Sequence, residues 1–550
     1  MSVSLDFDKL RRLLHGDALG EDSVKRDDVG ALGAWDWGPM LASRALWSEL
    51  GIEATLDDLS RPDRRATVRL SERALVLVAN RLTAPGNEHA LAQWLESDFV
   101  CDRIGRRFIA AWRDDAERRA SRTPRVRVAA RQLQQWYRTL DQLHACKDET
   151  ERALFLRLRD LFSLRVDMVF YDLTSTYFEG EGPPDLAAHG HSRDGKPRNR
   201  QVLVGLVMVD GWPIAHHVFA GNRRDAKTVP EVLRDLEARF GLKRVVFVGD
   251  RGMVTSQNLD DLRGGGHGYI VGRNRRRSGE VFDYIQSATG PWIECRPGIT
   301  VREKAEPPKT RVQEVAARTP GVRVFVVHSD ERAAFERAQR VKAMERVRAG
   351  FVKLERRVAT GRLKAPEKIG AAAAKILSRD HGHRYYDWSC ADGVFRFFEH
   401  DVHFPREQAY EGKYVIQTEE PDLSATDAVR LYKELSDVER AFANLKDVID
   451  MRPIYHRTDH RVEAHIFVAA LAFLLHRAIE KKLKAAGLDL SATAALNALK
   501  SVRVVDIDLG DGTTKRCVTR GTQRAAAVLR ALAITDLDPP TPPQPHETVM

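Results

Sequence analysis

The chain has 550 residues, a length that suggests two to four domains, and its 43% of hydrophobic residues can bury a sizeable core, which excludes a disordered chain. The formal net charge of +10 favours a polyanionic partner, with nucleic acid first and an anionic membrane second. Charge alone leaves open a plainer alternative, an arginine-rich surface that is simply solvated.

The five cysteines are scattered and form no C-x-x-C pair, so neither a zinc ribbon nor a disulfide framework is indicated, and a reducing cytoplasm fits. The N-terminal residues MSVSLDFDKLRRLL lack the basic and apolar pattern of a signal peptide. The longest apolar run, 466–475, is about half of what a membrane span needs, so we predict a buried helix there and no membrane partner.

Residues 1–160 form the first predicted domain, because apolar residues recur at helical spacing in RALVLVANRL, ALAQWLESDF and ARQLQQWYRTLDQLHA. Arginine clusters interrupt these helices at 106–107, 118–119 and 122–127. A helical, arginine-rich region is a candidate DNA-end-binding domain. The alternative is an ordinary helical domain with a solvated face.

Residues 161–275 change to the pattern of an α/β sheet. VDMVFYDLT predicts a buried strand, and LVGLVMVDGWPIAHHVFAG predicts two strands joined at Asp210 and Gly211, a hairpin signal. A helix follows over 226–240, then the apolar strand RVVFVGD, a short helix at SQNLDDLR and the strand GYIVG. This order predicts a mixed sheet in which antiparallel strands are followed by crossover strands.

The rest of the chain divides into three predicted parts. We interpret 276–412 as an inserted domain, in which the short strands VRVFVVHS and VFRFFEH flank a charged helix over 330–357. Over 413–490 the sheet resumes at KYVIQT and is followed by helices from 425 to about 448 and from 461 to about 486. Residues 491–550 end in DPPTPPQPHETVM, a proline-rich tail that we predict to be disordered.

Two aspartates end apolar strands, Asp172 in VDMVFYD and Asp250 in RVVFVGD. A charge beside an apolar strand is costly unless it lies at an exposed end, is paired or binds a metal. The carboxyl ends of strands are also where α/β sheets bind ligands. The alternative for each strand-end aspartate, taken alone, is a helix or turn cap.

A third carboxylate, Glu439, lies on the helix LYKELSDVERAFANLK, whose apolar residues at 435, 438 and 442 place it close to the buried side. Together with Asp172 and Asp250 it would complete a hard-oxygen site suited to Mg²⁺ or Mn²⁺. Two such ions, roughly 3.5–4 Å apart, activate an attacking oxygen and stabilise a leaving one.

These residues carry a resemblance to a known family. The segments YDLTSTYFEG, HGHSRDGKPRNRQVLVGLVMVDGWPIAHHVFAGNRRDAKT, VGDRGM and LYKELSDVERAFANLKDVIDMRPIYHR resemble the DDE transposases of bacterial insertion sequences, over roughly 160–275 and 410–480. Within that group the chain is similar to those with the motif Y-x2-R-x3-E-x6-K, matched here by Tyr432, Glu439 and Lys446. Leu435 stands at the arginine position, a departure that concerns one DNA-contacting role and not the metal site.

The resemblance implies an RNase H-like α/β fold and a metal-dependent enzyme that cleaves DNA and transfers the strand at the ends of a mobile element. It implies that Asp172, Asp250 and Glu439 bind two Mg²⁺ or Mn²⁺ ions, and that Tyr432 and Lys446 contact DNA phosphates. The expected partners are the terminal inverted repeats of the element, the target DNA and a second copy of the chain in a synaptic dimer.

The three motif residues Tyr432, Glu439 and Lys446 recur at seven-residue steps, which predicts that they fall along one helix face. The alternative for Tyr432 and Lys446 is a packed tyrosine beside a surface ion pair. We expect a bacterial protein of the cytoplasm that associates with the nucleoid when it is bound to DNA.

Further DNA contacts are predicted beside the aspartates. Arg251 follows Asp250 directly, and Thr174 shares a strand face with Asp172; capping or surface contact is the alternative for both. The run Arg273, Arg275 and Arg276 is a candidate phosphate clamp, or else a solvated loop. The paired histidines show no zinc spacing, and we interpret His465, on an apolar helix, as a core or interface residue.

Two alternatives remain to the active transposase. One is an inactive or domesticated transposase that binds DNA without cutting it. The other is a different RNase H-like nuclease. The helix that carries Tyr432, Glu439 and Lys446 favours the transposase.

Overall fold

The computed structural model describes residues 30–60, 68–88, 90–108, 126–164, 166–250, 252–253, 255–274, 279–295, 309–509 and 513–541. Its helices are α1 (Gly38–Glu49), α2 (Ile52–Leu59), α3 (Leu70–Thr83), α4 (Leu91–Ser97), α5 (Val126–Ala145), α6 (Lys147–Phe162), α7 (Val229–Phe240), α8 (Ser256–Gly264), α9 (Gly279–Ser287), α10 (Asp330–Ala359), α11 (Pro366–Arg379), α12 (His403–Tyr410), α13 (Ala425–Ala443), α14 (Asp459–Ala485), α15 (Ala492–Leu499) and α16 (Gln523–Ala531). Its strands are β1 (Gly30–Asp36), β2 (Met168–Tyr177), β3 (Gln201–Val209), β4 (Trp212–Ala220), β5 (Val246–Gly249), β6 (Gly268–Gly272), β7 (Ile293–Cys295), β8 (Thr310–Val315), β9 (Arg323–Ser329), β10 (Tyr386–Ala391), β11 (Val394–Glu399), β12 (Lys413–Thr418), β13 (Arg503–Asp508) and β14 (Thr514–Val518).

The chain forms two compact units. The first consists of 1–165, 173–223 and 439–550, and the second of 166–172 and 224–438, as far as these residues are described. Strand β2 and helix α13 each begin in the second unit and end in the first.

The second unit is built on a sheet in the order β2, β5, β6, β12, β9, β8 and β7. The pairs β2–β5 and β5–β6 are parallel, whereas β6–β12, β12–β9, β9–β8 and β8–β7 are antiparallel. The mixed α/β sheet predicted from the sequence is therefore present. Strands β5 and β6 are buried along their whole length, as their continuous apolar runs predict.

Local sequence signals explain how elements of this unit begin and end. The Thr255 hydroxyl accepts a hydrogen bond from the backbone N–H of Asn258 and so caps α8. Helix α7 ends at Gly241, whose φ of 67° is a left-handed conformation that favours glycine. The start of α8 and the end of α7 therefore lie close to the residues that the sequence predicts.

In the first unit, β3 and β4 form the predicted antiparallel hairpin, and its turn residues Asp210 and Gly211 have φ of 49° and 72°. Helix α14 is the core helix of this unit and packs against α3, α5 and β4. It is long and apolar enough to span a membrane by length and composition, but most of it is buried inside the unit. The prediction of a buried helix there is confirmed.

The structure differs from the predicted order of elements in two places. The N-terminal region is not wholly helical, because β1 pairs with β13 at the other end of the chain and forms a three-stranded sheet with β13 and β14. In addition, β7, β8 and β9, which lie in the predicted insertion 276–412, extend the sheet of the second unit beyond β12. Pairing between distant strands is not encoded in a local pattern, so neither feature was visible in the sequence. The predicted domain boundaries stay a prediction.

The remainder of that segment has a hydrophobic cluster of its own. Helices α10 and α11 and the hairpin β10–β11 surround Phe351, whose ring contacts Tyr386, Phe395 and Phe397. Trp388 stacks on Phe395 at the edge of the same cluster.

Candidate active site

The two aspartates belong to neighbouring parallel strands, but only Asp250 follows a strand end. Asp172 is the fifth of the ten residues of β2, so the prediction that it ends its strand is wrong, because β2 continues to Tyr177. Met168 pairs with Val246 and Phe170 with Val248, so Asp172 and Asp250 each lie two residues beyond the last pair. Neighbouring strands are about 4.8 Å apart. Both aspartates are partly exposed, whereas the apolar residues before them are buried. Both carboxylates therefore follow the point where the pairing of β2 with β5 stops.

The residue before Asp172 connects the strand to the turn that precedes α7. Tyr171 is fully buried, and its hydroxyl donates a hydrogen bond of 3.0 Å to Oγ1 of Thr228. The Thr228 hydroxyl in turn donates to the backbone carbonyl of Asp225 at 2.7 Å. Burial raises the pKa of Tyr171, and the charges of Asp172 and Asp225 raise it further, so this phenol stays a proton donor.

The turn after Asp250 is held by one buried side chain. The backbone N–H of Met253 donates to the carbonyl of Asp250 at 3.0 Å. Nδ2 of Asn258 then donates to the carbonyls of Met253, at 2.7 Å, and Ala226, at 2.8 Å. Asn258 therefore ties the turn that carries Asp250 to the short 3₁₀ turn Asp225–Lys227.

A third carboxylate of the second unit, Asp225, lies beside the turn after Asp250. A Cβ atom placed on Gly252 would lie 3.6 Å from Oδ2 of Asp225. The sequence reasoning missed Asp225, because an aspartate in GNRRDAKT just before a helix looks like an ordinary cap. Its charge adds to the negative potential that Asp172 and Asp250 create, and such a potential favours a divalent cation.

Glu439 lies near the end of α13, and its side chain is exposed. The sequence placed it close to the buried side of the helix, and the buried Leu435, Val438 and Phe442 do form that side. Glu439 stands at the margin of this apolar face, where its carboxylate reaches solvent. Leu435, at the position where the family motif has arginine, is a core residue.

Tyr432 is half-buried on the second-unit part of α13. Its ring lies 5.8 Å from that of Tyr414, with 30° between the planes. Its hydroxyl lies against Gly272, at the end of β6, where a Cβ atom would collide with it. Tyr432 is thus a packed residue whose hydroxyl lies at the carboxyl end of β6, an inner strand of the sheet.

Lys446 lies on a single π-helical turn, Asn444–Val448, that follows α13. A π-helical turn holds more residues than an α-helical turn, and the common helix face of Tyr432, Glu439 and Lys446 stays a prediction. Its ammonium donates to Oδ1 of Asp194 at 2.8 Å. Burial lowers the pKa of Lys446, although the bond to Asp194 opposes that effect.

The other predicted DNA contacts differ in their surroundings. Thr174 is buried on β2. Arg273 pairs with Glu280 at 2.9 Å. Arg251, Arg275 and Arg276 lie outside the described residues.

A second titratable cluster lies in the first unit. Glu88, His456 and His465 hold their ligand-type atoms within 4.8 Å of one another. His465 is buried; its Nε2 donates to the carbonyl of Met451 at 3.0 Å, and its Nδ1 accepts from Arg81 at 3.3 Å. Because the Arg81 guanidinium supplies the positive charge beside Glu88, we interpret the cluster as a buried ion-pair network. The prediction that His465 is a core residue is confirmed.

Comparison with known proteins identifies the family. A family described as "Transposase DDE domain" matches residues 168–475, which include Asp172, Asp250 and Glu439. No curated protein matches the chain. The mixed sheet agrees with the RNase H-like α/β core that such a domain carries. Because the match extends over more than half of the 550 residues, the chain belongs to the transposases with a DDE domain.

Proposed function

We propose that this transposase cleaves DNA at the ends of an insertion sequence and then joins the exposed 3′-hydroxyl to target DNA. The observation that supports the proposal is the parallel pairing of β2 with β5 up to Phe170 and Val248, because Asp172 and Asp250 each lie two residues beyond that pair. Both steps are phosphoryl transfers, in which positioning and charge stabilisation do most of the catalysis.

The carboxylates fit a hard divalent cation, because ionised Asp and Glu side chains are acceptor-only oxygen ligands. We propose that Asp172, Asp250 and Glu439 hold two Mg²⁺ or Mn²⁺ ions. Such ions, when bound, lower the pKa of the attacking oxygen and neutralise charge on the leaving oxygen. The joining of Glu439 to the two aspartates rests on the family motif.

The chain's own residues position this site. The Tyr171–Thr228 hydrogen bond and the Asn258 bridge fix the backbone on either side of the aspartates. In the proposal, Tyr432 and Lys446 contact DNA phosphates near the cut. Thr174, Arg251 and the cluster Arg273, Arg275 and Arg276 are further candidate contacts.

The proposed partners are the terminal inverted repeats, the target DNA and a second copy of the chain that holds the other element end. The net charge of +10 supports a polyanionic partner. The arginine-rich region 1–160 is the candidate end-binding domain, and association with the bacterial nucleoid would follow from DNA binding.

The test is cleavage of a labelled duplex that carries the sequence flanking the gene, with Mg²⁺, by the native protein and by Asp250→Ala and Glu439→Ala. We expect both variants to lose nicking by at least about 10³-fold, because each removes a ligand of the reaction centre, while DNA binding persists. Asp260→Ala and Glu434→Ala, which remove exposed carboxylates from α8 and α13, serve as matched controls and should cleave normally.

Binding without cleavage by the native protein, in Mg²⁺ and Mn²⁺ alike, would support a domesticated DNA-binding protein instead. Preferential cleavage of an RNA–DNA hybrid would support another RNase H-like nuclease. Titration of Mn²⁺ gives a readout that does not depend on turnover: Asp172→Ala and Asp250→Ala should each weaken binding of the metal.

A further inference from the structure

Two cations of the first unit share one oxygen of a buried aspartate. Lys446 Nζ lies 2.8 Å from Oδ1 of Asp194, and the Arg452 guanidinium binds the same atom. The Asp194 side chain is 3% exposed and that of Lys446 10%, whereas that of Arg452 is 27% exposed. Of the two cations, Lys446 is therefore shielded from solvent, whereas Arg452 reaches the surface.

The burial of Lys446 beside Arg452 requires the negative charge of Asp194. A buried charge is costly unless it is paired, and two cations on one oxygen are close enough to repel each other strongly without it. Burial lowers the pKa of Lys446; Asp194 raises it, and the charges of Arg452 and Arg193 lower it. Asp194 is thus the group that opposes the effect of burial on Lys446 and holds Lys446 and Arg452 on one oxygen.

The segment that carries Asp194 is fixed rather than loosely attached. The backbone N–H of Arg193 donates to Oγ of the buried Ser175 on β2 at 2.8 Å. The buried Gln201 donates to the carbonyls of Lys196, at 3.0 Å, and Asn199, at 2.9 Å. Because the backbone of this segment is held on both sides of Asp194, Asp194 is better suited to positioning the two cations than to blocking them until DNA displaces it.

The same segment is basic and faces solvent. Arg193, Lys196 and Arg198 are exposed around the buried Asp194. Arg452 is also bound by Asp447, whose side chain is 62% exposed. One buried aspartate therefore lies among cations that a DNA backbone can approach.

We propose that Asp194 is a positioning residue that holds Lys446 and Arg452 together as a paired binding site for one DNA phosphate, with Arg452 as the second contact. This inference rests on the proposed function, because the phosphate is that of the DNA substrate. Lys446 keeps two further N–H donors and Arg452 keeps its remaining donors for phosphate oxygens.

The test is the salt dependence of binding to a duplex of about 30 base pairs and arbitrary sequence, since phosphate contacts are independent of sequence. Asp194→Asn removes a negative charge, so simple electrostatics predicts tighter binding. Our inference predicts the opposite: binding about tenfold weaker, the loss of one charge-assisted hydrogen bond. The slope of log K against log salt should become shallower by roughly 0.9 for each phosphate contact that is lost.

Asp447→Asn is the matched control, because it removes an exposed carboxylate from the same Arg452. It should leave binding unchanged or make it tighter. Arg452→Gln is the second variant, since a partly exposed side chain is replaced without emptying a buried pair. It should weaken binding and make the slope shallower by roughly 0.9, and a thermal melt of each variant confirms that it is folded.

Tighter binding with a steeper slope in Asp194→Asn would show that this carboxylate competes with phosphate and would overturn the inference. Native affinity and slope in Arg452→Gln would overturn it equally. In either case, loss of cleavage in Asp250→Ala would still support the proposed function. A native protein that binds no duplex would contradict both.

Discussion

At the scale of single residues, the site depends on polar side chains that fix backbone rather than on the carboxylates alone. Asn258 is buried, and its amide group donates hydrogen bonds to the carbonyls of Met253 and Ala226. Met253 follows Asp250 by three residues, and Ala226 follows Asp225 directly. One amide group therefore links the turn after Asp250 to the turn that contains Asp225. Nothing in SQNLDDLR marks Asn258 as different from a surface residue of a short helix.

We predict that Asn258→Ala destabilises the protein by about 2–3 kcal/mol, since two buried hydrogen bonds, to the carbonyls of Met253 and Ala226, are lost. It should also weaken Mn²⁺ binding, because the turn that carries Asp250 is no longer held. Denaturant unfolding and a Mn²⁺ titration measure the two effects. The control is Gln257→Ala, the exposed neighbour on α8. Equal behaviour of the two variants would contradict the bridging role.

At the scale of elements, the sequence predicts periodicity well and exposure less well. The 30-residue helix α10 matches its predicted start at Asp330, but its two phenylalanines have opposite surroundings. Phe351 is fully buried in the cluster with β10 and β11, whereas Phe335 is 63% exposed. Helical spacing determines which residues share a face, but only the packing of the helix against other elements determines which face is buried.

We predict that Phe351→Ala lowers the unfolding free energy of this cluster by about 3–5 kcal/mol, the usual cost of removing a buried phenylalanine. Phe335→Ala, on the same helix, should change it by less than about 0.5 kcal/mol. Urea unfolding followed through Trp388, which stacks within the cluster, separates the two. A loss of similar size in both variants would show that this cluster does not hold α10 in place.

At the scale of the whole molecule, the first unit joins segments that are very far apart in the chain. Arg81 on α3 and His465 on α14 are 384 residues apart, yet their side chains are hydrogen-bonded. Burial and the charge of Arg81 lower the pKa of His465 to about 3. Burial opposes ionisation of Glu88, but its bond to His456 and the nearby positive charges outweigh that effect and lower its pKa to about 2.

The sign of the pH dependence follows from these shifts. Between pH 6.5 and about 3 the unfolded chain protonates His465 and the folded chain does not, so acidification favours unfolding by up to about 1.4 kcal/mol per pH unit. Glu88 adds to the loss below about pH 4.5, where the unfolded carboxyl is protonated and the folded one is not. We therefore predict that the unfolding free energy falls steadily from pH 6.5 to 4.5.

His465→Gln should flatten that dependence, because glutamine donates to Met451 and accepts from Arg81 without titrating. Urea unfolding at several pH values measures the slope, and His381→Gln, at an exposed position, is the control. An unchanged slope in His465→Gln would assign the acid sensitivity to other groups.

The sequence by itself determined the features that arise within one stretch of chain. It predicted β2, β5 and β6 from β-branched and apolar runs and the hairpin turn at Asp210 and Gly211, and its resemblance to a family predicted the DDE domain. Only the tertiary structure decided which distant side chains meet: Asp225 beside the Asp250 turn, and Asp194 on Lys446. The physical reason is that local propensity depends on near neighbours, whereas these contacts depend on strand register and on the packing of segments hundreds of residues apart.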